Sequence, residues 1–420
     1  MRVLIVAENA TCEAGGEAIL PLHYFRLLRQ RGIEAWLLVH ERSRDALKES
    51  LAPQERVRVS YAPDLRLHRQ LNSLYYRVPR LLYKLIGAPV MSFSTQWMLR
   101  KFARRMIEAH RIDLVHQPTP VSPKATSMMF GFGVPVIIGP MNGGMSYPPA
   151  MSWLERRWER TMTAAARAAS HIANALIPGK LLARVLLVAN QRTARALPLG
   201  ARGQVIELVE NGVDLSLFRA SSAPSAARDR EQVRFAFVGR LVDWKGVDFA
   251  IEALARSPAS LCLHVVGEGP MRSMLEGHAV RHAVRERVFF HGFVPQARCP
   301  AILADMDALV LPSLYECGGA VVLEAMCMGL PVIATNWGGP ADYLDASCGV
   351  LIEPRGREPF VADLAAAMQR LAASAQLRQR LGAAGRRRAQ ERYDWQRKID
   401  VIVRLYQQVL DSRRLAGKKA

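Results

Sequence analysis

Short apolar runs rich in β-branched residues alternate with amphipathic stretches along nearly the whole chain. The apolar runs predict buried strands of parallel sheets, and the amphipathic stretches between them predict crossover helices. A chain of 420 residues is also too long for one ordinary hydrophobic core, because single cores stop growing at about 250–300 residues. We therefore expect an α/β protein with two doubly wound, Rossmann-like domains that face each other across a cleft.

The predicted strands form two sets on either side of a segment at 218–232, which is rich in Ala, Ser and Pro and is predicted to be a linker. The strands of the first set are Val3–Ala7, Ala35–Val39, Leu114–His116, Val134–Ile138, Val185–Val188 and Val205–Val209, and its helices lie near Ala18–Arg31, Ser122–Phe130, Trp153–Ala169 and Gln191–Ala196. The strands of the second set are Arg234–Val238, Leu261–Val266, Val288–Phe290, Ala308–Leu311, Val332–Ala334 and Val350–Ile352. This pattern predicts an N-terminal domain at 1–217, a C-terminal domain at 233–392 and a final amphipathic helix within 393–420.

Composition narrows the class of protein. Half of the residues are apolar and 22% are charged, which is a globular composition. The six cysteines show no Cys-x-x-Cys pair, so we expect reduced thiols and no zinc site. The first apolar run meets Glu8 too early for a secretory signal, and the most apolar stretch, 171–190, contains Pro178, Lys180 and Arg184. A cytoplasmic protein is therefore expected.

Two acids, Glu316 and Glu324, stand on either side of Gly318 and Gly319, between two predicted strands. Ligands of an open α/β sheet bind outside the carboxyl ends of its strands, so Glu316 is expected on a loop that leaves a strand. The glycines allow backbone N–H groups to approach a ligand at the start of the next helix, and Glu324 lies about two turns further along it. This arrangement suits a ligand with both sugar hydroxyls and phosphate. Two solvated helix acids are the plainer alternative.

A cationic turn is predicted in the same half of the chain. An apolar run ends at Gly239 and is followed by Arg240 and Lys245, ahead of a predicted helix. Arg presents a rigid fork to phosphate oxygens, and Lys presents a mobile point charge. At a strand-to-helix turn the two side chains suit a diphosphate, although such a turn taken alone also fits ordinary surface cations.

Further segments complete an ordered set of motifs that spans nearly the whole chain. They are Gly15-Gly16, Asp113-Leu-Val-His116, Gly139-Pro-Met-Asn142-Gly143-Gly144, Asn211-Gly-Val-Asp214, Val266-Gly-Glu-Gly-Pro270 and His291-Gly-Phe293-Val294. With the acid pair and the cationic turn, they make the sequence resemble the retaining nucleotide-sugar glycosyltransferases of glycosyltransferase family 4, which have the GT-B fold. One departure is Cys317, which follows Glu316 where the family usually has Gly-Phe-Gly. The identity of the sugar therefore stays open.

The resemblance implies a set of functional residues. The catalytic residues would be Glu316, Arg240, Lys245 and His116, with Glu316 positioning the sugar rather than forming a covalent bond to it. The donor-binding residues would be Gly16, Gly239, Gly267, Phe293, Val294, Gly318, Gly319, Ala320 and Glu324, with Glu324 on the ribose hydroxyls. The acceptor side would comprise Gly15, Asn142, Gly143 and Gly144. A plain tight turn at Gly15-Gly16 and a structural role for His116 are the alternatives.

The implied reaction is transfer of a hexose, with retention of anomeric configuration, from a UDP- or GDP-sugar. The acceptor would be a glycan or a polyprenyl-diphosphate-linked glycan in cell-surface polysaccharide or glycolipid assembly. No Asp-x-Asp pair is placed to hold Mg²⁺ between the phosphates, so neither a metal nor another cofactor is expected. A nucleotide-sugar epimerase or a phosphorylase-like enzyme of the same fold is an alternative. Nucleic-acid binding is disfavoured because no recognition-helix, zinc-finger or aromatic RNA-binding pattern occurs.

The formal net charge of +20 is unevenly distributed along the chain. Apart from Asp64, the stretch from there to Arg105 contains no acid, and its cations are Arg66, Arg69, Arg77, Arg80, Lys84, Arg100, Lys101, Arg104 and Arg105. Apolar and aromatic residues at helical spacing lie among them, which is typical of a helix at a membrane interface. We therefore expect peripheral contact with the anionic inner face of the plasma membrane. The alternative is a helix pair that packs on the first sheet and exposes a solvated basic face.

Overall fold

The computed structural model describes residues 1–11, 16–65, 87–155, 157–219 and 232–417. The chain divides into two compact units. Unit 1 comprises Met1–Gly144, Thr161–Glu210 and Ile399–Ala420, and unit 2 comprises Met145–Arg160 and Asn211–Lys398. Each unit contains its own parallel sheet, so the predicted α/β class with two doubly wound domains is confirmed. The predicted linker lies almost entirely outside the described residues.

The sheet of unit 1 has seven strands in the order β3-β2-β1-β4-β5-β6-β7, and all neighbours are parallel. Its strands are β1 (Arg2–Val6), β2 (Glu34–His40), β3 (Val59–Ala62), β4 (Leu114–Gln117), β5 (Val136–Met141), β6 (Val185–Val188) and β7 (Gln204–Glu207). The inner strands are buried on both faces, as expected of a parallel sheet with helices on each side. The sequence did not predict β3, because this short edge strand pairs only with β2 and two of its four residues are half-buried.

Seven described helices accompany this sheet in the first half of the chain. They are α1 (Leu20–Gln30), α2 (Arg44–Ser50), α3 (Pro53–Arg56), α4 (Ala88–His110), α5 (Arg157–Leu176), α6 (Gly179–Leu182) and α7 (Gln191–Arg195). Leu99 and Ala103 of α4 join Leu4, Val6 and Leu38 of the strands in one buried apolar cluster. Burial of such side chains supplies most of the favourable free energy of folding. Within the described ranges, no helix is both long and apolar enough to cross a lipid bilayer.

The predicted helix at Ser122–Phe130 is wrong, because this segment is irregular. Its backbone groups are satisfied by side chains instead of by helical hydrogen bonds. Gln96 of α4 accepts a hydrogen bond from Met128 N through Oε1 at 2.9 Å and donates one through Nε2 to Thr126 O at 2.9 Å. Arg100 of the same helix donates to Met128 O at 2.7 Å. Local sequence pattern does not reveal such long-range partners.

The sheet of unit 2 has six parallel strands in the order β10-β9-β8-β11-β12-β13. Its strands are β8 (Val233–Val238), β9 (Leu261–Val266), β10 (Val288–Gly292), β11 (Ala308–Leu311), β12 (Val332–Thr335) and β13 (Gly349–Ile352). The helices are α8 (Val247–Ala255), α9 (Arg272–Arg281), α10 (Cys299–Leu303), α11 (Ala320–Cys327), α12 (Gly339–Tyr343), α13 (Arg357–Ala373), α14 (Ala375–Arg392) and α15 (Trp395–Gly417), of which α15 continues into unit 1. The described cysteines are free thiols.

Two helical glycines of unit 2 provide a test of this packing. A Cβ on Gly382 of α14 would lie 1.9 Å from the carbonyl oxygen of Gly329, whereas a Cβ on Gly277 of α9 would meet only the flexible end of Arg281, at 3.5 Å. We expect Gly382→Ala to lower the free energy of unfolding by about 1–3 kcal/mol, since an overpacked core must move its backbone. Gly277→Ala is the matched control and should raise it by about 0.5–1 kcal/mol through helix propensity. Urea denaturation measures both values, and equal stabilities would contradict this packing.

Candidate active site

Three glycines hold the carboxyl ends of β8, β9 and β10 close together. Gly239 N donates a hydrogen bond to Val266 O at 2.9 Å, and Gly267 N donates one to Gly292 O at 2.8 Å. A Cβ on Gly267 would lie only 1.9 Å from Gly239 O, and the φ of Gly267 is 143°. Only glycine allows this approach of two backbones. The predicted residues Gly239 and Gly267 therefore lie at the carboxyl ends of two inner strands, where the candidate site is located.

The cationic turn after β8 packs against the loop after β11. Asp243–Lys245 forms a single 3-10 turn that ends at Gly246, where φ is 67°. A Cβ on Gly246 would lie 2.4 Å from Pro312 O, so this position also requires glycine. Leu314 N donates a hydrogen bond to Trp244 O at 2.8 Å. The two loops are thus held by backbone contacts that do not depend on the charged side chains.

This packing brings Lys245 and Glu316 into direct contact. Lys245 Nζ donates a hydrogen bond to Glu316 Oε2, and the two side chains are only 17% and 14% exposed. An ammonium has three N–H donors and a carboxylate accepts several hydrogen bonds, so each group keeps capacity for a ligand. Arg240 is exposed in the same turn, and no described residue forms an ion pair with it. The sequence identified these charged groups separately, without predicting the contact.

The loop that carries Glu316 is fixed at the start of α11. Gly319 precedes the helix with φ at 78°, and Ala320 is its first residue. Gly339 N donates a hydrogen bond to Glu316 O at 2.8 Å, and a Cβ on Gly339 would lie 2.2 Å from Gly318 O. The loop after β12 therefore packs tightly on residues 316–318. The free N–H groups of a helix start favour anionic oxygen nearby.

Glu324 lies in the second turn of α11 and is buried. Gln296 Nε2 donates a hydrogen bond to Glu324 Oε1 at 2.6 Å. Burial raises the pKa of Glu324, and the hydrogen bond from Gln296 opposes this effect. Burial, with a smaller contribution from the charge of Glu324, also raises the pKa of the nearby Cys299 thiol to about 11. A buried carboxylate with a single hydrogen-bond donor is costly unless a ligand supplies further donors.

The segment after β10 supplies the remaining predicted donor-site residues of unit 2. Phe293 is exposed and Val294 is half-buried, just beyond Gly292, whose φ is 74°. The sequence analysis missed Gln296, although it lies two residues beyond the motif that ends at Val294. A polar residue shortly after a strand end, where ligands of such sheets bind, is the signal that could have identified it.

In unit 1, the structure corrects the prediction for His116. This residue is fully buried in β4, where Nε2 donates a hydrogen bond to Gly139 O at 2.6 Å and Nδ1 accepts one from Tyr406 at 2.5 Å. The Tyr24 ring packs edge-on at 4.7 Å. Burial lowers the pKa of His116 to about 4, although the contact with Gly139 O opposes this effect. His116 is a neutral structural residue with both nitrogens engaged, and the prediction that its ring faces a sugar is wrong.

The predicted acceptor-side residues lie at the carboxyl end of β5, except Gly15, which is outside the described residues. Asn142 is buried and donates a hydrogen bond through Nδ2 to Glu210 Oε1 at 2.7 Å, and Gly143 N donates one to Thr193 Oγ1 at 3.1 Å. Gly144 is exposed, with φ at 72°. Asn142 and Gly143 therefore fix the conformation of the turn after β5. A ligand on the acceptor side would have to contact this turn.

A carboxylate at the end of β1 was not among the predicted site residues. Glu8 Oε1 accepts hydrogen bonds from Ser92 Oγ at 2.9 Å and from Gln96 Nε2 at 3.0 Å. Burial raises the pKa of Glu8, against these two hydrogen bonds. Gly16, the donor-site glycine predicted nearby in sequence, is exposed, and a Cβ there would meet no atom within 4 Å. Its φ of 74° fits the plain turn that the sequence left open.

Among the described residues, one cluster has ligand atoms close enough to hold a metal ion. It comprises Glu252, His278 and His282, whose ligand atoms lie within 4.8 Å of one another. Arg357 already donates a hydrogen bond to Glu252 Oε1, and His278 Nε2 donates to the same oxygen at 2.9 Å. These contacts connect α8, α9 and the start of α13. The cluster is a structural ion-pair network.

Comparison with known proteins extends this picture. Residues 219–388 match the family described as glycosyl transferases group 1. Over 196 residues, 43% of this chain and 49% of the relative, the sequence is 34% identical to 2-deoxystreptamine glucosyltransferase of Streptomyces kanamyceticus. It is 25% identical to the MMP alpha-(1->4)-mannosyltransferase of Mycolicibacterium hassiacum, over 98% of both chains. For the first curated relatives, in contrast, the chain spans only about half of each relative's length.

Solved structures resemble the whole chain at low sequence identity. Sucrose-phosphate synthase from Thermosynechococcus elongatus aligns with a TM-score of 0.71 over 98% of this chain and 99% of its own, at 20% identity. This likeness concerns the fold alone. Residues 219–388, which contain Lys245, Glu316 and Glu324, carry the match to glycosyl transferases group 1, on a chain whose two parallel-sheet domains have the GT-B fold.

Proposed function

We propose that this chain is a retaining, metal-independent glycosyltransferase that moves a hexose from a UDP- or GDP-sugar to a glycan or lipid-linked acceptor. The observation that carries the proposal is the contact between Lys245 and Glu316 at the carboxyl ends of the strands of the second sheet. Helix α11 begins shortly after Glu316 and carries the buried Glu324 in its second turn. The matched family supports glycosyl transfer. The names of the relatives, a glucosyltransferase and a mannosyltransferase, support a hexose as the transferred group.

In the proposed reaction, the bond between the anomeric carbon and the diphosphate oxygen breaks, and its electron pair moves onto the diphosphate. The acceptor oxygen attacks on the same face of the sugar, and its proton passes to the departing phosphate oxygen. Arg240, Lys245 and the N–H groups at the start of α11 would stabilise the negative charge that develops on the leaving group. The backbones that carry these donors are held in place before the reaction by the contacts between the loops, so only side chains need to move.

Lys245 and Glu316 are proposed to exchange partners when the donor binds. In the free protein each neutralises the other. A diphosphate would attract the Lys245 ammonium, and the Glu316 carboxylate would then accept hydrogen bonds from sugar hydroxyls. Glu316 thereby positions the sugar. This role agrees with its place on a loop fixed by Gly339.

Glu324 is proposed to accept hydrogen bonds from the two ribose hydroxyls of the nucleotide. Its buried carboxylate receives one described hydrogen bond, from Gln296, which also fixes the orientation of the carboxylate. A cis-diol would supply the two donors that offset the cost of burial.

Metal independence is proposed because Arg240, Lys245 and the start of α11 would neutralise the charge of the diphosphate in place of a metal ion. The sequence does contain one Asp-x-Asp segment, Asp305-Met306-Asp307. This segment precedes β11, at the end of the strand opposite to Glu316. Asp307 accepts a hydrogen bond from Arg234 N at 2.8 Å, which is a structural role.

Contact with an anionic membrane surface is proposed for the outer face of α4. Phe93 and Trp97 are 49% and 48% exposed one turn apart, and Lys101 follows after another turn with Nζ 5.9 Å from the centre of the Trp97 ring. Arg104 is exposed further along the helix. Aromatic side chains beside cations are typical of helices that lie in a membrane interface. The cations predicted between Arg66 and Lys84 lie outside the described residues.

Removal of the two cations tests the leaving-group role. Arg240→Ala and Lys245→Ala should each lower kcat by about 10²–10³-fold, because the charge they stabilise develops only in the transition state. Arg256→Ala is the matched control, since its ion pair with Glu358 lies on the exposed surface of the same unit, and it should keep wild-type turnover. Steady-state kinetics with a panel of UDP- and GDP-sugars measures these values. Wild-type activity in both site variants would exclude the diphosphate role.

The same assays separate this reaction from its alternatives. Wild-type turnover should be unchanged in excess EDTA, and loss of activity that Mg²⁺ or Mn²⁺ restores would contradict metal independence. An epimerase would convert the nucleotide sugar without an acceptor, whereas the proposed transferase would release only slow hydrolysis products.

Glu324→Gln tests the nucleotide role without changing the shape of the side chain. UDP or GDP should bind about 10–100-fold more weakly, as expected for loss of charged hydrogen bonds. Because burial raises the pKa of Glu324, the ionised form destabilises the fold at neutral pH, and the variant should melt at the same temperature or higher. Wild-type affinity should fall on acidification through this raised pKa, and the variant should lose that dependence. Titration calorimetry measures the nucleotide affinity, and thermal melting measures the stability. A lower melting temperature with unchanged affinity would indicate a purely structural residue.

Trp97→Ala tests the membrane contact. Sedimentation with phosphatidylglycerol vesicles at low salt should fall at least severalfold, because the variant loses an interfacial aromatic anchor. Trp158→Ala is the matched control, since its side chain is 45% exposed against 48% for Trp97. Equal sedimentation of both variants, or equal recovery of the wild type with neutral vesicles, would contradict the proposal.

A further inference from the structure

A cavity of about 720 Å³ lies beside the edge strand β3 in unit 1. Its walls come from β3, α2, the end of α3 and the last turns of α4. Four cations line it, and none of the described residues that line it is an acid. The cations are Arg44, Lys48, Arg56 and Arg105, and Tyr61 and Phe102 provide aromatic surface. This volume falls within the range of about 300–1,000 Å³ that is usual for sites that bind small molecules.

One of these cations is held in place by neighbouring groups. Arg44 donates hydrogen bonds to both carboxylate oxygens of Glu41, with Nη2–Oε2 at 2.9 Å. Its guanidinium also stacks on the Tyr61 ring at 4.1 Å from the ring centre. The position of a fork-shaped donor over an aromatic ring at the cavity wall is therefore fixed. Because Nε and Nη2 are engaged by Glu41, Nη1 is the nitrogen of this guanidinium that is left to bind a phosphate oxygen.

The other three cations lack an acidic partner among the described residues. Lys48, Arg56 and Arg105 form no ion pair there. Arg56 is oriented by a hydrogen bond from Nε to Leu51 O at 2.9 Å, and the Arg105 guanidinium lies 5.6 Å from the centre of the Phe102 ring. Several like charges around one concavity repel one another, and low-dielectric walls focus their field into it. An anion bound there would offset this repulsion.

The cavity also has an apolar wall. Met106 is buried beside the half-buried Phe102, and Val59 of β3 is buried at the same surface. An inorganic anion alone would leave this wall in contact with water. A ligand with a phosphate at one end and an apolar or ring portion at the other would match both parts of the cavity.

We propose that this cavity binds such a phosphate-bearing ligand, separately from the donor site of unit 2. The same chemistry occurs in a phospholipid headgroup and in a free phosphorylated metabolite. Because the cavity lies wholly in unit 1, its occupation does not depend on Lys245, Glu316 or Glu324. The proposal stands or fails independently of the proposed transfer reaction.

The test uses two pairs of variants with the same change of charge. Lys48→Gln with Arg105→Gln removes two cations from the cavity, and both side chains are exposed, so the fold should be kept. Arg195→Gln with Arg404→Gln is the control pair, since it removes two exposed cations of unit 1 that lie outside both the cavity and α4. All are made in full-length protein that also carries Arg240→Ala and Lys245→Ala, which removes the proposed diphosphate contacts of unit 2. Thermal melting checks that every variant is folded.

Titration calorimetry with inorganic pyrophosphate and with monomeric dihexanoyl phosphatidylglycerol gives the readout. The cavity pair should bind at least one of these probes at least tenfold more weakly than the parent, and the control pair should stay within twofold. Greater loss for pyrophosphate would identify a free phosphorylated ligand, and greater loss for the lipid would identify a headgroup. If both pairs bind both probes alike, or if the parent binds neither, the cavity is not a phosphate site.

Discussion

Carbonyl oxygens occupy the space where side chains would begin at Gly246, Gly267 and Gly339, and the candidate site depends on this close packing. Each contact joins the end of one strand to the loop of another. The contact at Gly246 holds Lys245 against the loop after β11, and the contacts of Gly339 hold the backbone of Glu316. The charged pair forms because the backbones are already in place. A larger residue at any of these glycines would separate groups that are far apart in sequence.

This framework explains why two opposite charges can sit partly buried without a ligand. Neutralisation of Lys245 by Glu316 lowers the cost of removing each from water. In the proposed function, the same pairing keeps both groups ready for exchange, because a diphosphate and a sugar would present the complementary partners. A site that carried only the cations would bind any anion more readily. In the proposed function, the acid would therefore give selectivity for a ligand that bears hydroxyl groups beside its phosphates, since such a ligand provides a new partner for Glu316.

Most strands of both sheets are predictable from the sequence, because buried parallel strands need continuous apolar runs. The exceptions have physical causes. The edge strand β3 has one protected side and a mixed sequence, and the segment at 122–130 obtains its hydrogen bonds from Gln96 and Arg100 of a distant helix. Site residues in loops are predictable as residue types near strand ends. Their contacts are not, because the pairing of Lys245 with Glu316 depends on strand order, which local pattern does not specify.

The hydrogen-bond partners of buried polar residues help to distinguish structural residues from candidate ligand-binding residues. His116 and Glu324 are both buried at strand or helix positions that the sequence associates with ligands. Both nitrogens of His116 are engaged, by Gly139 and Tyr406, so no hydrogen-bonding capacity is left for a substrate. Glu324 has one described donor, Gln296, for a carboxylate that accepts several. In the proposed function, ribose hydroxyls supply the further donors that offset the cost of burying this carboxylate. The difference in remaining hydrogen-bonding capacity is therefore our reason to propose Glu324, and not His116, as a ligand contact.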